Sequence, residues 1–181
     1  MVNSKNKAKK FIVFFIPALI SWFSFYHYLY KIDYFISPGF DSLTFFSELL
    51  SNQSNFILEI FGLSTLTEIH GDVVVSKILN YEYSHGVWIG EPCNGIKIFG
   101  VFTIFIICFS GKTINKLWFI PTGIFIIHFL NIVRISILTY IAAIDPSWLN
   151  FNHNITFQVI VYGTMLSLSL IHISEPTRHS I

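Results

Sequence analysis

Charge is scarce in this chain of 181 residues: Asp, Glu, Lys and Arg together make up 12% of it, whereas 53% is hydrophobic and 18% is aromatic. A soluble domain of this length needs more charge to cover its surface. The composition therefore argues against a soluble enzyme and predicts a polytopic membrane protein. The net charge of +1 says little by itself, but the positions of the charges along the chain are informative.

Cysteine is also scarce, and the two cysteines are too few for a disulfide framework. Cys93 and Cys108 lie near opposite ends of one apolar segment, and in a helix they would be about 22 Å apart at about 1.5 Å per residue. A disulfide cannot bridge that distance. Each thiol therefore needs its own interpretation, and we expect Cys108, which has apolar neighbours, to fill packing space.

The signals for several binding classes are missing. The chain has no paired Cys and His residues at metal-ligand spacing, no glycine-rich phosphate loop and no basic face suited to nucleic acid. We therefore expect no metal, no cofactor and no nucleic-acid partner.

Long hydrophobic runs predict about four transmembrane helices, over 11–30, 92–109 and 117–143, with a fourth starting at 154–167. A helix needs about 20 apolar residues to cross a bilayer, so the second span is short and the third can cross with tilt. The first span follows a basic run and lacks a clean small-residue cleavage site, which indicates a retained signal anchor. We treat 1–167 as a single membrane-embedded domain.

The lysines predict which side of the membrane each loop faces. A lysine cluster precedes the first span, and Lys112 and Lys116 lie in the short loop before the third. Cytoplasmic loops are enriched in Lys and Arg, so we expect both segments to be cytoplasmic. Residues 31–92 and 144–153 would then face outward from the inner membrane.

Segment 41–90 is predicted to be extracytoplasmic. Apolar residues recur at helical spacing over Asp41–Thr67, which predicts one or two amphipathic helices on or near the outer membrane face. The stretch Thr67–Ile89 alternates and is rich in strand formers, which favours a small hairpin. The predicted fold is therefore an all-α polytopic membrane protein with an extracytoplasmic amphipathic segment and a possible hairpin.

The end of the chain resembles a cloning scar. Residues 168–178 read LSLIHISEPTR, which resembles the translated read-through of a widely used sequencing adapter. We therefore interpret 168–181 as a non-native tail and exclude its histidines and glutamate from functional reasoning.

A reactive cysteine is suggested by the stretch EPCNG at 91–95, which precedes the second apolar run. Pro92 suits the first position of a helix, so Cys93 would lie in the first turn, where the helix dipole favours a thiolate. Lys97 would add positive charge one turn further on, and Gly95 permits close approach of a substrate. The alternative is a buried structural cysteine.

Arg134 places a permanent charge inside the third apolar run. Such a residue is costly in a bilayer and suggests a functional site by default. It would lie about 13 Å below the outer end of the span at helical rise, and its side chain is long enough to reach upward. Asn131 is one turn away on the same face. The alternative is an arginine that snorkels or locks helices together.

His153 lies at the outer entry to the fourth span, on the same predicted side as Cys93, which makes it the best general base. His128 is the main competitor, but it lies six residues deeper than Arg134 and points elsewhere. We hypothesise that His153 takes the thiol proton from Cys93 and that the thiolate attacks a peptide carbonyl. Arg134 would stabilise the oxyanion or orient the carbonyl.

The order of these motifs resembles that of the exosortase/archaeosortase family of polytopic cysteine transpeptidases. A Cys-x-Gly starts one span, an Asn-x-x-Arg lies in the next, and a His precedes a later one. The resemblance covers about residues 41–167, and the EPCNG motif is similar to that of short Bacteroidetes-type exosortases. It implies that Cys93 is the nucleophile, with Arg134 and His153 as the other catalytic residues. The supporting residues would be Asn94, Gly95 and Asn131.

The resemblance also implies a function. Family members process C-terminal sorting signals of secreted proteins, each with a short motif, a transmembrane helix and a basic cluster. The expected partners are such substrates and the lipid bilayer. Two alternatives stay open: a non-catalytic membrane helper of surface-polymer or protein export, in which Cys93 is inert, and a small transporter with Arg134 in its substrate path.

Overall fold

The computed structural model describes residues 2–36, 41–71, 73–81, 86–109 and 113–149, and single residues at 159, 163 and 167. Its helices are α1 (Val2–Ile36), α2 (Ser42–Ile60), α3 (Ile96–Cys108) and α4 (Thr113–Ile144), and its strands are β1 (Thr65–His70), β2 (Val73–Ile78) and β3 (Val87–Ile89). Two 3₁₀ turns cover Glu91–Cys93 and Pro146–Trp148. The predicted fourth span and the predicted tail fall almost entirely outside the described residues.

Among the described residues, two helices are long and apolar enough to cross a membrane: Ala8–Leu29 within α1, and all 32 residues of α4. They contain most of the first and all of the third predicted span. The intervening α3 has 13 residues, about 20 Å at helical rise, which is shorter than a hydrocarbon core of about 30 Å. It begins at Ile96 rather than at Pro92, because Pro92 belongs to the preceding 3₁₀ turn.

α1 packs antiparallel to α3 along an aromatic seam. The rings of Phe11 and Phe105 meet edge to face with centroids 5.4 Å apart near one end of the pair. Further along, Trp22 lies directly on Gly100, where an added Cβ would stand 2.0 Å from the indole. The absence of a side chain at Gly100 therefore lets the indole reach the backbone of α3.

α4 packs antiparallel to α3 in the same way. The fully buried ring of Phe102 lies on Gly123, where an added Cβ would stand 2.2 Å from the ring. Asn131 approaches Gly95, just before α3 begins. The basic start of α1 and Lys116 at the start of α4 therefore share one end of the bundle, and the turn that carries Cys93 lies at the other.

A small antiparallel sheet follows α2, in the order β1-β2-β3. The predicted hairpin is formed by β1 and β2, which pair from Thr65 with Ile78 to His70 with Val73, and β3 extends it on the β2 side. The fold is mostly helical but not all-α, because the sheet supplies part of the core. Its buried side chains pack against α2 and α4.

One amphipathic helix, α2, occupies most of the segment for which one or two were predicted, and Asp41 caps its start by accepting from the Leu43 amide. A helix at the surface of a soluble protein buries its apolar side chains and exposes its polar ones, whereas α2 largely does the opposite. Small polar residues share its buried face with two leucines: Ser47, Ser51, Ser54, Asn55, Leu50 and Leu58. Large apolar residues are exposed: Phe45, Phe46, Leu49, Phe56 and Ile60.

Hydroxyl groups join α2 to α4. The Ser54 hydroxyl lies 3.2 Å from the Ile132 carbonyl, and the Ser136 hydroxyl lies 3.2 Å from the Ser54 carbonyl. Small side chains of this kind allow two helices to approach closely within a membrane, where apolar side chains gain little by leaving lipid. The serines therefore explain why α2 turns its polar face toward the protein.

Candidate active site

Cys93 ends the 3₁₀ turn that joins β3 to α3. Its amide donates to the Gly90 carbonyl at 2.9 Å, which closes the turn. The prediction that Cys93 lies in the first turn of a helix was wrong, since α3 begins at Ile96.

The side chain of Cys93 is 6% exposed and belongs to the central apolar cluster. Leu50 of α2, Ile89 of β3, and Ile135 and Leu138 of α4 surround it in that cluster. The thiol therefore lies where α2, the sheet and α4 meet. Burial by itself is equally compatible with a structural cysteine, so the polar neighbours decide how the site is interpreted.

Two residues on one face of α4 contact Cys93. The Asn131 side-chain amide donates to the Cys93 carbonyl at 2.9 Å, and Nη2 of Arg134 lies 3.9 Å from the Cys93 sulfur. Residues three apart in a helix lie on the same face, one turn from each other. The structure thus brings together three of the predicted site residues through one turn of α4.

Arg134 is only 7% exposed. The ion pairs of the described residues join Glu68 to Lys77 and His70, and Glu91 to Lys97, and none of them includes Arg134. A buried charge is costly unless it is paired or hydrogen-bonded. The neighbour that the structure provides for this guanidinium is therefore the sulfur of Cys93, a weak acceptor as a thiol and a strong one as a thiolate.

Asn94 and Gly95 shape the exit from the turn. Oδ1 of Asn94 accepts from the Ile96 amide at 3.1 Å, and Gly95 has a φ of 84°, in the left-handed region that favours glycine. An added Cβ at Gly95 would stand 3.1 Å from Nδ2 of Asn131 and 3.3 Å from the ring of Phe99. The protein's own side chains therefore make close contact at Gly95. Approach of a substrate at Gly95 stays a prediction.

Tyr26 of α1 is a neighbour of the site that sequence analysis missed. It is 3% exposed, and its hydroxyl donates to the Glu91 carbonyl at 3.4 Å. Lys97 lies 4.8 Å from the Tyr26 ring centroid and pairs with the Glu91 carboxylate at 2.9 Å. The positive charge expected near Cys93 from Lys97 is thus directed to Glu91. The sequence feature that could have pointed to Tyr26 is its position near the outer end of the first predicted span, where tyrosines are common.

The two candidate histidines have different outcomes. His153 lies outside the described residues, so its role stays a prediction. Nε2 of His128 lies 2.8 Å from Oε1 of Gln53, a contact that joins α4 to α2. His128 is thus occupied in a helix contact two turns from Arg134.

Cys108 ends α3 at the opposite end from Cys93, and neither cysteine is in a disulfide. Within the described ranges, no group of three or more His, Cys, Asp or Glu residues is placed to hold a metal ion. The candidate chemistry thus centres on one thiol and its polar neighbours.

Comparison with known families identifies one match. The model of the transmembrane exosortase family matches residues 9–171, which is most of the chain and includes most of α1 and all of α2, α3 and α4. The matched range extends into the first residues of the predicted tail. A search of curated proteins and a search of solved structures each found no match. The resemblance seen in the motifs is confirmed by this family match.

We predict that Asn131→Ala releases the turn around Cys93, because it removes the side-chain bond to the Cys93 carbonyl and opens space beside Gly95. In a Cys108→Ala background, the rate of N-ethylmaleimide labelling at Cys93 in detergent should rise several-fold. The loss of one buried hydrogen bond costs on the order of 1 kcal/mol, or about fivefold in an opening equilibrium. Mass spectrometry of the labelled protein gives the rate.

The matched control is Thr122→Ala on the same helix, because the Thr122 hydroxyl bonds only to its own helix at the Trp118 carbonyl and is exposed. That variant should label at the parental rate. Equal labelling rates in the Asn131→Ala variant and its parent would show that Asn131 does not hold the turn.

Proposed function

The chain belongs to the transmembrane exosortase family, and on that basis we propose that it is a membrane cysteine transpeptidase or protease that cleaves the C-terminal sorting signals of secreted proteins. The substrates would carry a short recognition motif, a transmembrane helix and a basic cluster. The family match supports a membrane protein of the transpeptidase kind, and the residues around Cys93 support the finer assignment.

The observation that carries this proposal is the contact between Arg134 and Cys93. A buried guanidinium 3.9 Å from a buried sulfur is costly in an apolar core unless negative charge forms there. The thiolate and the tetrahedral intermediate that follows both carry such a charge. A structural cysteine would gain nothing from this neighbour.

The reaction would proceed by nucleophilic catalysis. His153 takes the proton of the Cys93 thiol, and the sulfur attacks the scissile carbonyl carbon to form a C–S bond. The carbonyl electron pair moves to oxygen, where Arg134 stabilises the negative charge. The intermediate collapses, the C–N bond breaks, and the amine leaves with the proton from His153. Water or an amine then attacks the thioacyl enzyme and releases Cys93.

We predict that Cys93→Ala abolishes cleavage of a sorting tail while the protein still accumulates in the membrane. The substitution removes the nucleophile. It takes away only one atom, the sulfur, from a buried side chain, so the fold should persist. The measurement is immunoblotting of a co-expressed secreted substrate, in which the uncut form keeps its higher mass. Cys108→Ala is the control and should leave cleavage at the parental level.

The same blot distinguishes an enzyme from a transporter. A transporter should tolerate Cys93→Ala and fail with Arg134→Ala, whereas the enzyme should fail with both. Substrate cut normally by a Cys93→Ala variant would refute the cysteine mechanism.

His153 is proposed as the general base and His128 as a helix contact. We predict that His153→Ala lowers cleavage on the order of 10²–10⁴-fold, as expected for loss of a positioned base. His128→Ala is the matched control and should retain most of the cleavage, because it removes only the bond to Gln53. If the effects are reversed, His128 is the base.

We propose that the end of the bundle with the N-terminal lysines and Lys116 is cytoplasmic and that Cys93 faces outward from the inner membrane. The antiparallel arrangement of α1, α3 and α4 supports this orientation, because it gathers both basic segments at one end. The preference of basic residues for the cytoplasmic side supports the direction that we propose.

We further propose that α2 lies at the outer membrane boundary with three separate sectors. At about 100° per residue, the exposed apolar residues occupy one arc of about 100°, from Phe45 round to Phe46. Next to this arc lies a polar edge formed by Glu48, Asn52 and Glu59. The remaining face carries the serines that pack on α4. Such a helix has one side for protein, one for lipid and one for water.

A pair of neighbouring positions tests this placement of α2. Ile60 belongs to the apolar arc and Glu59 to the polar edge, and both are exposed. In a background without Cys93 and Cys108, Ile60→Cys and Glu59→Cys are labelled with an environment-sensitive fluorophore and reconstituted in liposomes. We predict that nitroxide-bearing lipids quench the label at position 60 several-fold more than the label at position 59. Equal quenching at the two positions would exclude the proposed orientation.

A further inference from the structure

Two buried hydrogen-bond donors next to Cys93 have no acceptor. Among the described residues, the buried side-chain atoms without a hydrogen-bond partner are Nδ2 of Asn94 and Nε of Arg134. Asn94 is 2% exposed and Arg134 is 7% exposed. Leaving a buried donor unsatisfied is destabilising, so two of them on Asn94 and Arg134, the residues that follow and contact Cys93, call for an explanation.

The orientation of the Asn94 amide is fixed by its other atom. Oδ1 accepts from the Ile96 amide at 3.1 Å, and a reversed side chain would set two donors against each other there. Nδ2 is therefore the atom of the amide group that is left unpaired. The Tyr26 hydroxyl lies near the Asn94 side chain, but it is not in hydrogen-bond geometry with Nδ2.

The backbone donor nearest the sulfur is already used. Many acyl-transfer enzymes bind the oxyanion with main-chain amides. Here the Cys93 amide donates to the Gly90 carbonyl and closes the 3₁₀ turn, and the Ile96 amide is taken by Asn94. These two main-chain amides are therefore not available to an oxyanion.

We propose that Nδ2 of Asn94 is an oxyanion donor that acts with Arg134, a catalytic role that rests on the proposed function. Two unpaired donors need a hydrogen-bond acceptor. In the proposed reaction, the carbonyl oxygen of an acyl group on Cys93 provides that acceptor. When sulfur attacks, the C–S bond forms and the carbonyl electron pair moves to that oxygen. Asn94 then donates to the oxyanion, until the C=O bond forms again and the leaving group departs.

The test compares two reactions of the same sulfur. Acylation by p-nitrophenyl acetate passes through an oxyanion, whereas alkylation by iodoacetamide displaces iodide and forms none. In a Cys108→Ala background, Asn94→Ser keeps an oxygen that can accept from the Ile96 amide but removes Nδ2. We expect acylation at Cys93 to fall on the order of 100-fold, as for loss of one oxyanion donor, and alkylation to stay within about twofold of the parent. Both rates are read by intact mass, with Cys93→Ala as the blank.

Two comparisons separate this role from a structural one. Asn94→Ala also removes the acceptor for the Ile96 amide, so any damage to the turn shows in its alkylation rate. Tyr26→Phe tests whether Asn94 acts only by holding the tyrosine. If it does, Tyr26→Phe should slow acylation and spare alkylation, as Asn94→Ser does. We expect Tyr26→Phe to change the two rates together, if it changes either.

Other results would overturn the inference. If Asn94→Ser slows both reactions equally, Asn94 supports the turn and does not bind the oxyanion. If it slows neither, Nδ2 has no role in acylation. If Cys93 of the parent reacts with neither reagent, the proposed function fails as well, which distinguishes that failure from one of Asn94 alone.

Discussion

The burial of Arg134 is the constraint on which the site depends. A guanidinium that is 7% exposed must be compensated by its surroundings, and no carboxylate among the described residues pairs with it. Its compensation is directed at Cys93. In the proposed reaction, the negative charge that forms on the sulfur or on a bound acyl group would lie against this guanidinium. The proposed chemistry at Cys93 would then be coupled to the electrostatics of the core through this contact.

Much of this site could be predicted from the sequence, and the reason is physical. An arginine in an apolar span has few acceptable environments, so its partner must be a polar or ionisable group at the same depth. The three-residue spacing of Asn131 and Arg134 put them on one helix face. Cys93 was the polar candidate at the matching end of the preceding apolar segment. These constraints are local or nearly so, and the contacts of Asn131 and Arg134 with Cys93 agree with them.

Other features depended on packing that periodicity does not report. The pattern of α2 showed which residues share a face, but not whether that face meets protein or lipid. The sequence also favoured a helix from Pro92, because proline suits a first helical turn, whereas the left-handed backbone at Gly95 delays the helix to Ile96. Tyr26 reaches the turn from α1, one helical turn beyond the point where Trp22 packs on Gly100. Each of these outcomes is decided by a contact between distant parts of the chain.

The polar groups of the core show by contrast why the two unsatisfied donors stand out. Behind the site, the Thr139 hydroxyl reaches Ser76 at 3.2 Å, Ser76 donates to Asn55 at 2.7 Å, and Asn55 donates to Thr67 at 2.8 Å. That chain joins α4, β2, α2 and β1 with every member paired. The fold pairs every polar group of this network, whereas one donor of Asn94 and one of Arg134 are left unpaired. This contrast is the reason why we propose that the unpaired donors of Asn94 and Arg134 serve a ligand.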